Sequence, residues 1–330
     1  MSLNKKIITL FAFITTLFNA LMGDTFVVLP SQNESKNIES KKQDSIKIAD
    51  SKAQSNIESK TAVANKNTNK NTNKSENKTT NKVANGATFI AITDSKKPKN
   101  ITINKKTYKW IAHPKDSNKK IAFVAINYYT KPQKINLGNN ITLEIVAGNY
   151  PKKEQLQIKD KNKVTPNKAA SDRIARELNE ANKIYTTYDS KRYWDKPFIY
   201  PLENVEISSP FGSARVFNGA VKSFHGGTDL RAAIGTKILA VNDGVVVLAK
   251  ERFLAGNSVV VSHGEGVYSM YYHCSEIKVK VGQKVTQGEV VALSGDTGRV
   301  TAAHLHYSMM VNGVLVDGFD FIEGVNKLFE

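Results

Sequence analysis

Two short segments in the last third of the chain carry the residue types best suited to chemistry. The segment "SFHGGTDLRA" sets His225 and Asp229 on either side of a Gly-Gly-Thr interval, and "AHLHYSMM" sets His304 and His306 on either side of a leucine. Alternate side chains of a strand share a face, so the last two histidines are predicted to point the same way. An isolated H-x-H also occurs as two structural histidines. Together with H-x-x-x-D, it supplies three nitrogen and oxygen ligands and leaves a fourth position open, as catalytic zinc sites do.

Runs of alternating, β-branched and aromatic residues predict that these motifs belong to a mainly β protein. Runs such as "KIAFVAINYYT" and "NNITLEIVAGNY" predict a small sandwich-like β module over residues 87–165. Runs such as "TKILAVNDGVVVLAK" and "GVYSMYYH" predict an antiparallel β domain over residues 197–330, with almost no helix. The pairs that mark its hairpin turns are Asp243-Gly244 and Asn312-Gly313.

The segment between the module and the domain, residues 166–196, has the spacing of a connecting helix. Its apolar residues recur three or four positions apart and are Ile174, Leu178, Ala181 and Tyr185. Ser171 or Asp172 is expected to be the N-cap, because a short oxygen-bearing side chain can accept a hydrogen bond from a free N–H of the first turn.

The first 23 residues have the layout of a secretory signal peptide. Lys5 and Lys6 precede an apolar run that ends near Met22, and the small Gly23 follows as a cleavage point. The alternative is an uncleaved membrane anchor, although the run is short for a spanning helix. The chain is therefore expected to be exported to the periplasm or cell envelope, with no membrane span after the signal is removed.

The charge of the chain predicts an acidic partner. The formal net charge is +17 and the isoelectric point is near 9.6, which suits an anionic cell-wall polymer, an anionic membrane surface or a nucleic acid. Export argues against nucleic acid. Much of the charge lies in residues 24–86, a Lys/Asn/Ser/Thr-rich tract predicted to be a disordered tether. The single cysteine, Cys274, cannot form an internal disulfide.

The order of the motifs along the chain resembles the lysostaphin-like or LytM-type zinc peptidases. The similar segments are "SSPFG", "HGGTDLRAAIGTKILAVNDGVV", "YYHCS", "VGQKVTQGEVVALSGDTG" and "HLHY", and they extend from about Phe198 to Asp320. The upstream module and helix also resemble, by layout more than by motifs, the non-catalytic region of cell-shape-determining members of this family from curved and helical Gram-negative bacteria.

The resemblance implies a role for each motif residue. The residues implied as zinc ligands are His225, Asp229 and His306. The residues implied as catalytic partners are His304 and His273, whose individual roles stay open. The residues expected to bind substrate are Arg215, Asn218 and Tyr271. His263 matches a turn position that is not usually catalytic, so it is expected to be structural.

The function that the resemblance implies is hydrolysis of D-alanyl peptide bonds in peptidoglycan, for cell-wall remodelling and cell shape. The enzyme would be a DD-endopeptidase on cross-links, or also a DD-carboxypeptidase on stem peptides. A second class stays open, a non-catalytic module that binds or activates another wall hydrolase, as some relatives do after losing metal ligands. The enzyme is favoured because all five implied metal and catalytic residues are present.

Overall fold

The structure is a computed structural model that describes residues 63–64, 79–138, 141–150 and 152–330. Strands dominate this part of the chain, and the predicted mainly β fold class is confirmed. The predicted signal peptide and most of the predicted tether lie outside the described residues and stay predictions. No helix within the described ranges combines the length and the apolar character needed to cross a bilayer.

The β module is built from nine short strands of the described chain. They are β1 (Val63–Ala64), β2 (Thr79–Ala84), β3 (Thr88–Thr93), β4 (Ile101–Ile103), β5 (Lys106–Tyr108), β6 (Ile111–Ala112), β7 (Lys120–Ala125), β8 (Gln133–Gly138) and β9 (Ile141–Val146). They form the sheets β1-β3-β7-β6 and β2-β9-β8 and the hairpin β4-β5. Successive side chains of β3 enter different cores, Phe89 the module's own core and Ile90 a core shared with the C-terminal domain.

The module begins earlier in the sequence than expected. Strands β1 and β2 both lie inside residues 24–86, which were predicted to be a tether, and β2 pairs in parallel with β9 along its whole length. The polar composition of "TTNKVA" suggested disorder, but main-chain pairing does not depend on side-chain type. Val83 and Ala84 are buried and connect this strand to the module's core.

The predicted connecting helix is present as α1 (Lys168–Thr186). Its N-cap is Asn167, whose side chain accepts a hydrogen bond from the backbone N–H of Ala170 at 2.9 Å. The expectation of Ser171 or Asp172 was wrong, because Asn167 already closes the first turn. The helix ends at Thr186 rather than near residue 196, and the chain continues in an extended conformation from the C-cap residue.

Helix α1 packs on one face of the C-terminal domain. Its buried side chains include Leu178, Ala181 and Tyr185, which pack against Met270 and Met310. The hydroxyl of Tyr268 donates to the carbonyl of Ile184 at 3.1 Å, so the sheet also satisfies an otherwise free carbonyl of the last turn. These contacts hold the helix firmly on the sheet.

The C-terminal domain holds the remaining strands. They are β10 (Lys153–Leu156), β11 (Ile207–Ser209), β12 (Ala214–Phe217), β13 (Val221–Phe224), β14 (Thr228–Leu230), β15 (Lys237–Leu239), β16 (Gly244–Arg252), β17 (Gly256–Gly264), β18 (Val267–Cys274), β19 (Glu276–Ile277), β20 (Lys284–Val285), β21 (Val290–Leu293), β22 (Leu305–Val311) and β23 (Val314–Val316). The main sheet has the order β11-β14-β22-β18-β17-β16-β20, and β23 pairs with β22. Smaller sheets are β10-β12-β13 and β15-β21-β19.

A second α-helix, α2 (Gly318–Asn326), follows the last strand. Almost no helix was expected in this domain from the sequence, so α2 is a correction to that prediction. Asp317 is its N-cap and accepts a hydrogen bond from the N–H of Phe319 at 3.1 Å. The buried side chains of Phe321 and Val325 join the core that the domain shares with the module. Helix α2 therefore fastens the end of the chain to both parts of the molecule.

The two faces of the main sheet have different coverings. On β22, Leu305, Tyr307 and Met309 enter the core shared with the module, whereas Met310 lies in the cluster beneath α1. His306 lies on the α1 side, because residues two and four apart on a strand share a face. The site therefore lies on the face that α1 partly covers.

Strand β10 joins the C-terminal domain and not the module, although the predicted boundary of the module was residue 165. It pairs in parallel with β12, with Glu154 opposite Arg215 and Leu156 opposite Phe217. The pairing inserts the end of the module sequence into the edge of the C-terminal domain. The two parts are thus joined by main-chain hydrogen bonds as well as by the shared core.

Candidate metal centre

Three implied ligands meet in a tight triangle. His225 Nε2 lies 3.0 Å from Asp229 Oδ1, His306 Nδ1 lies 2.8 Å from the same oxygen, and the two nitrogens are 3.0 Å apart. A tetrahedral zinc ion with ligands at about 2.0–2.1 Å has ligand atoms about 3.3 Å apart. All three residues are buried, and they form a group of His and Asp side chains able to hold a metal ion. The donor set and the spacing therefore fit zinc.

Strand pairing brings the ligands together. Asp229 on β14 lies directly opposite His306 on β22, and His225 precedes β14 by a short interval. That interval needs a glycine, because a Cβ at Gly227 would lie 2.2 Å from Ser308 Oγ and 2.7 Å from His306 Nε2. The second glycine of the motif is therefore required by the close approach of the two strands.

Hydrogen bonds on the far side of each imidazole favour the tautomer that a metal requires. His225 Nδ1 lies 3.0 Å from the carbonyl of Pro210 and 3.0 Å from Ser209 Oγ. Because the carbonyl can only accept, a proton on Nδ1 leaves the Nε2 lone pair for a ligand. His306 Nε2 lies 2.8 Å from Ser308 Oγ, which can accept its proton and leave Nδ1 free to bind.

Arg215 lies between the site and the edge of the module. Its Nη2 donates to Asp229 Oδ2, and its Nε donates to Glu154 at 2.8 Å. Burial alone would raise the pKa of Asp229. Electrostatic interaction with His225 and Arg215, together with the hydrogen bonds that His225 and His306 can donate before a cation binds, holds this pKa well below its usual value. Asp229 is therefore ionised, the form that binds a cation.

The implied catalytic histidines stand beside the triangle. The rings of His273 and His304 have centroids 4.9 Å apart, and His304 Nε2 lies 3.5 Å from Asp229 Oδ1. Each Nδ1 lies 2.8 Å from a backbone carbonyl, that of Thr297 for His273 and that of Ala302 for His304. A proton on Nδ1 leaves Nε2 as the nitrogen that can act on a substrate.

A β-bulge directs His273 toward the site. On β18 the register shifts between the pairs Asn257–Cys274 and Val259–Tyr271, and His273 has a positive φ of 64°. Such a backbone conformation is uncommon for a residue other than glycine and is concentrated at functional sites. Burial lowers the pKa of His273 well below its usual value, and the neighbouring His304 adds to the effect. The ring is therefore neutral.

Of the three residues expected to bind substrate, only Arg215 lines the cavity at the site. Tyr271 is fully buried in the core, where its hydroxyl accepts from Val241 N at 3.0 Å and from Ser269 Oγ at 2.9 Å. Asn218 instead exchanges two hydrogen bonds with the backbone of Ile158, at 2.7 and 3.0 Å. Both side chains are engaged in the fold, so the structure gives no support to a substrate-binding role for these two residues, and that role stays a prediction.

His263 has no part in the site. It is fully buried between the carbonyl of Asp243 and Ser269 Oγ, each at 2.8 Å from a ring nitrogen. Burial lowers its pKa to about 4. The structural role expected from the sequence agrees with this position.

Several cavity residues were not found from the sequence. The cavity has a volume of about 340 Å³, and those that line it include Glu154, Arg252, Tyr272, Arg299 and Ser308. The ring of Tyr272 stacks on that of His306, with centroids 5.4 Å apart and planes 7° apart. Pairing of the Y-Y-H and H-x-H strands could have located Tyr272, whereas Glu154 and Arg299 come from segments without a local pattern.

Comparison with known proteins agrees with this geometry. Residues 223–318 match the model of peptidase family M23. Peptidoglycan DD-endopeptidase ShyA of Vibrio cholerae is 44% identical over 116 residues, which cover 34% of this chain and 27% of that protein. DD-carboxypeptidase/endopeptidase Mpg of Neisseria meningitidis serogroup B is 38% identical over 115 residues, which cover 35% of this chain and 26% of that protein. The chain thus spans less than a third of these relatives.

One similar structure extends beyond the matched segment. A putative peptidase M23 from Pseudomonas aeruginosa is 26% identical, with a TM-score of 0.56, and the match covers 73% of this chain and 95% of that one. This structural match covers far more of the chain than residues 223–318 do. The likeness in fold therefore extends upstream of the segment that matches the family model. The segment that matches the family model contains the His-Asp-His triangle and both neighbouring histidines, and the C-terminal part of this chain is a peptidase family M23 domain.

Proposed function

We propose that the protein is a zinc metallopeptidase that hydrolyses D-alanyl peptide bonds in peptidoglycan, as a DD-endopeptidase and also as a DD-carboxypeptidase. The names of the relatives ShyA and Mpg support this substrate class. Since peptidoglycan lies outside the cytoplasm, export to the periplasm or cell envelope is part of the proposal, and the apolar segment before Gly23 would be its signal.

The observation that carries the proposal is the ligand triangle beside two histidines in one cavity. His225, Asp229 and His306 would hold zinc with their Nε2, Oδ1 and Nδ1 atoms. The cavity that Asp229 and His306 line leaves room for a substrate beside these ligands. Zinc in this position supplies Lewis-acid activation of water and of the scissile carbonyl.

The chain's own residues supply the proton transfers. His273 is neutral, and its Nδ1 is engaged by Thr297, so its Nε2 can accept a proton. His304 Nε2 lies near Asp229, and when the ring carries both protons this nitrogen can donate a hydrogen bond to a developing oxyanion or a proton to the leaving amine. Arg215 holds Asp229 in place through its second carboxylate oxygen.

Mass spectrometry of purified muropeptides tests the proposal. The protein with bound zinc is expected to convert cross-linked dimers into monomers, and activity should disappear with a chelator and return with added zinc. His304→Ala serves as the control for contaminating hydrolases. A protein that binds stoichiometric zinc and releases no product from dimers or from pentapeptide monomers would refute the enzyme.

The alternative function, a non-catalytic module that binds or activates another wall hydrolase, has no specific support. Loss of metal ligands would favour it, yet none of the five metal and catalytic residues is replaced. The same zinc measurement separates the two, because a module of this kind does not require tight metal binding.

A further inference from the structure

We propose that Arg252 forms an anion-binding subsite of the cavity and receives the free carboxylate of the peptide residue whose amine is released. The inference rests on the proposed function, because it names the group of the substrate that this part of the cavity recognises. Arg252 is the last residue of β16 and lines the same cavity as His273 and His306.

Arg252 is a buried cation that lacks a counterion in the described part of the chain. The residue is 4% exposed, no ion pair joins it to a described carboxylate, and its Nη2 has no hydrogen-bond partner among the described residues. Its Nε makes a long hydrogen bond of 3.3 Å to Ser258 Oγ. Its other close neighbours include the hydroxyl-bearing side chains of Tyr185 and Tyr272, which are neutral. A buried positive charge without a carboxylate counterion is costly, so a ligand with a negative charge is expected beside it.

The neighbours of Arg252 are neutral or already engaged. The guanidinium carbon lies 4.5 Å from the centre of the Tyr272 ring, which in turn stacks on His306. The carboxylate of Glu177 accepts from Arg173 Nε at 2.7 Å and from the N–H of Phe253 at 2.9 Å. The nearby acid is therefore used to hold the helix and the loop, and the guanidinium stays available to a ligand.

The walls around Arg252 suit a small peptide residue. Leu254, Met270 and Leu315 line the cavity with apolar groups, which fit an alkyl side chain. Arg299 lines the cavity as well, and its backbone N–H donates to the carbonyl of Leu254 at 2.8 Å. The combination of a buried cation with apolar walls favours a carboxylate on a short carbon chain over a sugar.

Both proposed reactions present such a carboxylate. A carboxypeptidase substrate releases a terminal D-alanine, whose carboxylate is attached to the carbon next to the scissile nitrogen. A cross-link to the D-centre of diaminopimelate carries a carboxylate at the equivalent carbon. The ring of Tyr272 contacts the guanidinium of Arg252 and also stacks on the ring of the candidate ligand His306. The subsite therefore lies close to the reacting bond.

A pair of substrates tests the proposal. One is the native cross-linked muropeptide dimer, and the other is the same dimer with the carboxylate next to the scissile nitrogen converted to an amide. The unaltered protein is expected to cut the native dimer with a kcat/KM about 10- to 100-fold higher, the range of a hydrogen bond to a charged group. Arg252→Met should cut both at similar rates, because it keeps an apolar stem and loses the charge.

Controls separate this subsite from general charge effects. Arg231 also lines the cavity, but its side chain is 68% exposed and pairs with Glu206, so Arg231→Met should keep the preference. Arg252→Lys, which keeps a charge, should retain part of it. Zinc content and thermal unfolding verify that each variant is folded.

Each outcome is informative. Failure to cut the native dimer would contradict the proposed function and not the subsite alone. Equal rates on both dimers with the unaltered protein, or full preference in folded Arg252→Met, would overturn the subsite. If Arg252→Met does not fold, the preference of the unaltered protein and of Arg252→Lys decides the matter.

Discussion

Replacement of His306 and of His304 by alanine should have different effects, although the two lie on one face of one segment. His306 Nδ1 belongs to the ligand triangle, so His306→Ala leaves only two protein ligands. The site would then lose zinc affinity by orders of magnitude. His304 lies beside the triangle at 3.5 Å from Asp229 Oδ1, so His304→Ala should keep zinc and lose a proton-transfer group.

The size of the difference follows from linkage. A free zinc concentration a thousandfold above the dissociation constant adds about 4 kcal/mol to the free energy of unfolding. In a chain of 150–250 folded residues, each kcal/mol raises the melting temperature by about 2–4 °C. Zinc should therefore raise the melting temperature of the unaltered protein and of His304→Ala by about 8–16 °C, and that of His306→Ala very little. Turnover should fall by about 10²–10⁴-fold in His304→Ala.

Metal content by plasma emission, melting temperature with and without zinc, and turnover on muropeptide dimers measure these effects. His113→Ala is the matched control, because this histidine lies in the β module, where its Nδ1 accepts from the N–H of Asp116 at 3.0 Å. It should match the unaltered protein in zinc content and turnover. Equal zinc loss in His304→Ala and His306→Ala, or full turnover in His304→Ala, would refute the division of roles.

Three further variants test the surroundings of the site. Ser308→Ala removes the hydrogen-bond partner of His306 Nε2 and should weaken zinc binding by about 10–100-fold, measured by competition with a chelator. Ser308→Thr, which keeps the hydroxyl, is the control. Because burial lowers the pKa of His263 to about 4, against about 6.5 when unfolded, its neutral form contributes stability that is complete above pH 6.5 and lost toward pH 4. The free energy of unfolding, measured with urea in the absence of zinc, should therefore fall by about 3 kcal/mol less between pH 6.5 and pH 4 in His263→Gln than in the unaltered protein. An equal fall in the two proteins would contradict this prediction. Leu178→Ala should loosen α1 over the cavity face and raise turnover on intact wall, whereas lower turnover at full zinc content would mean that the helix supports the site.

The candidate ligands could be named from two short motifs, because the family resemblance implies a role for each motif residue. Two strands with paired motifs place Asp229 opposite His306, and strand alternation puts His304 on the same side. The role of Tyr271 could not be predicted, because a β-bulge changes the alternation between it and His273. Simple spacing places both on one face, whereas the positive φ at His273 turns that ring to the site and leaves Tyr271 in the core.

The contribution of β10 to the site could not be predicted for a different reason. Strand β10 pairs with β12 across a long stretch of chain, and no periodicity in "EQLQI" indicates which partner it takes. Likewise, the sequence around Arg252 reads as the end of an ordinary strand. Its burial beside the cavity depends on packing of β16 against Tyr272 and α1, which only the folded chain reveals.

The position of β10 links the module to the charge balance of the metal centre. Arg215 binds Oδ2 of Asp229 and also Glu154, so its positive charge is shared between two carboxylates. An arginine paired with Asp229 alone would compete more strongly with a cation for that carboxylate, because its whole charge would act on one acid. Glu154 reduces this competition while the hydrogen bond still fixes the orientation of Asp229, with Oδ1 directed at His225 and His306. Since Glu154 reaches the site through the β10–β12 pairing, the strand that follows the module is a structural component of the candidate metal centre.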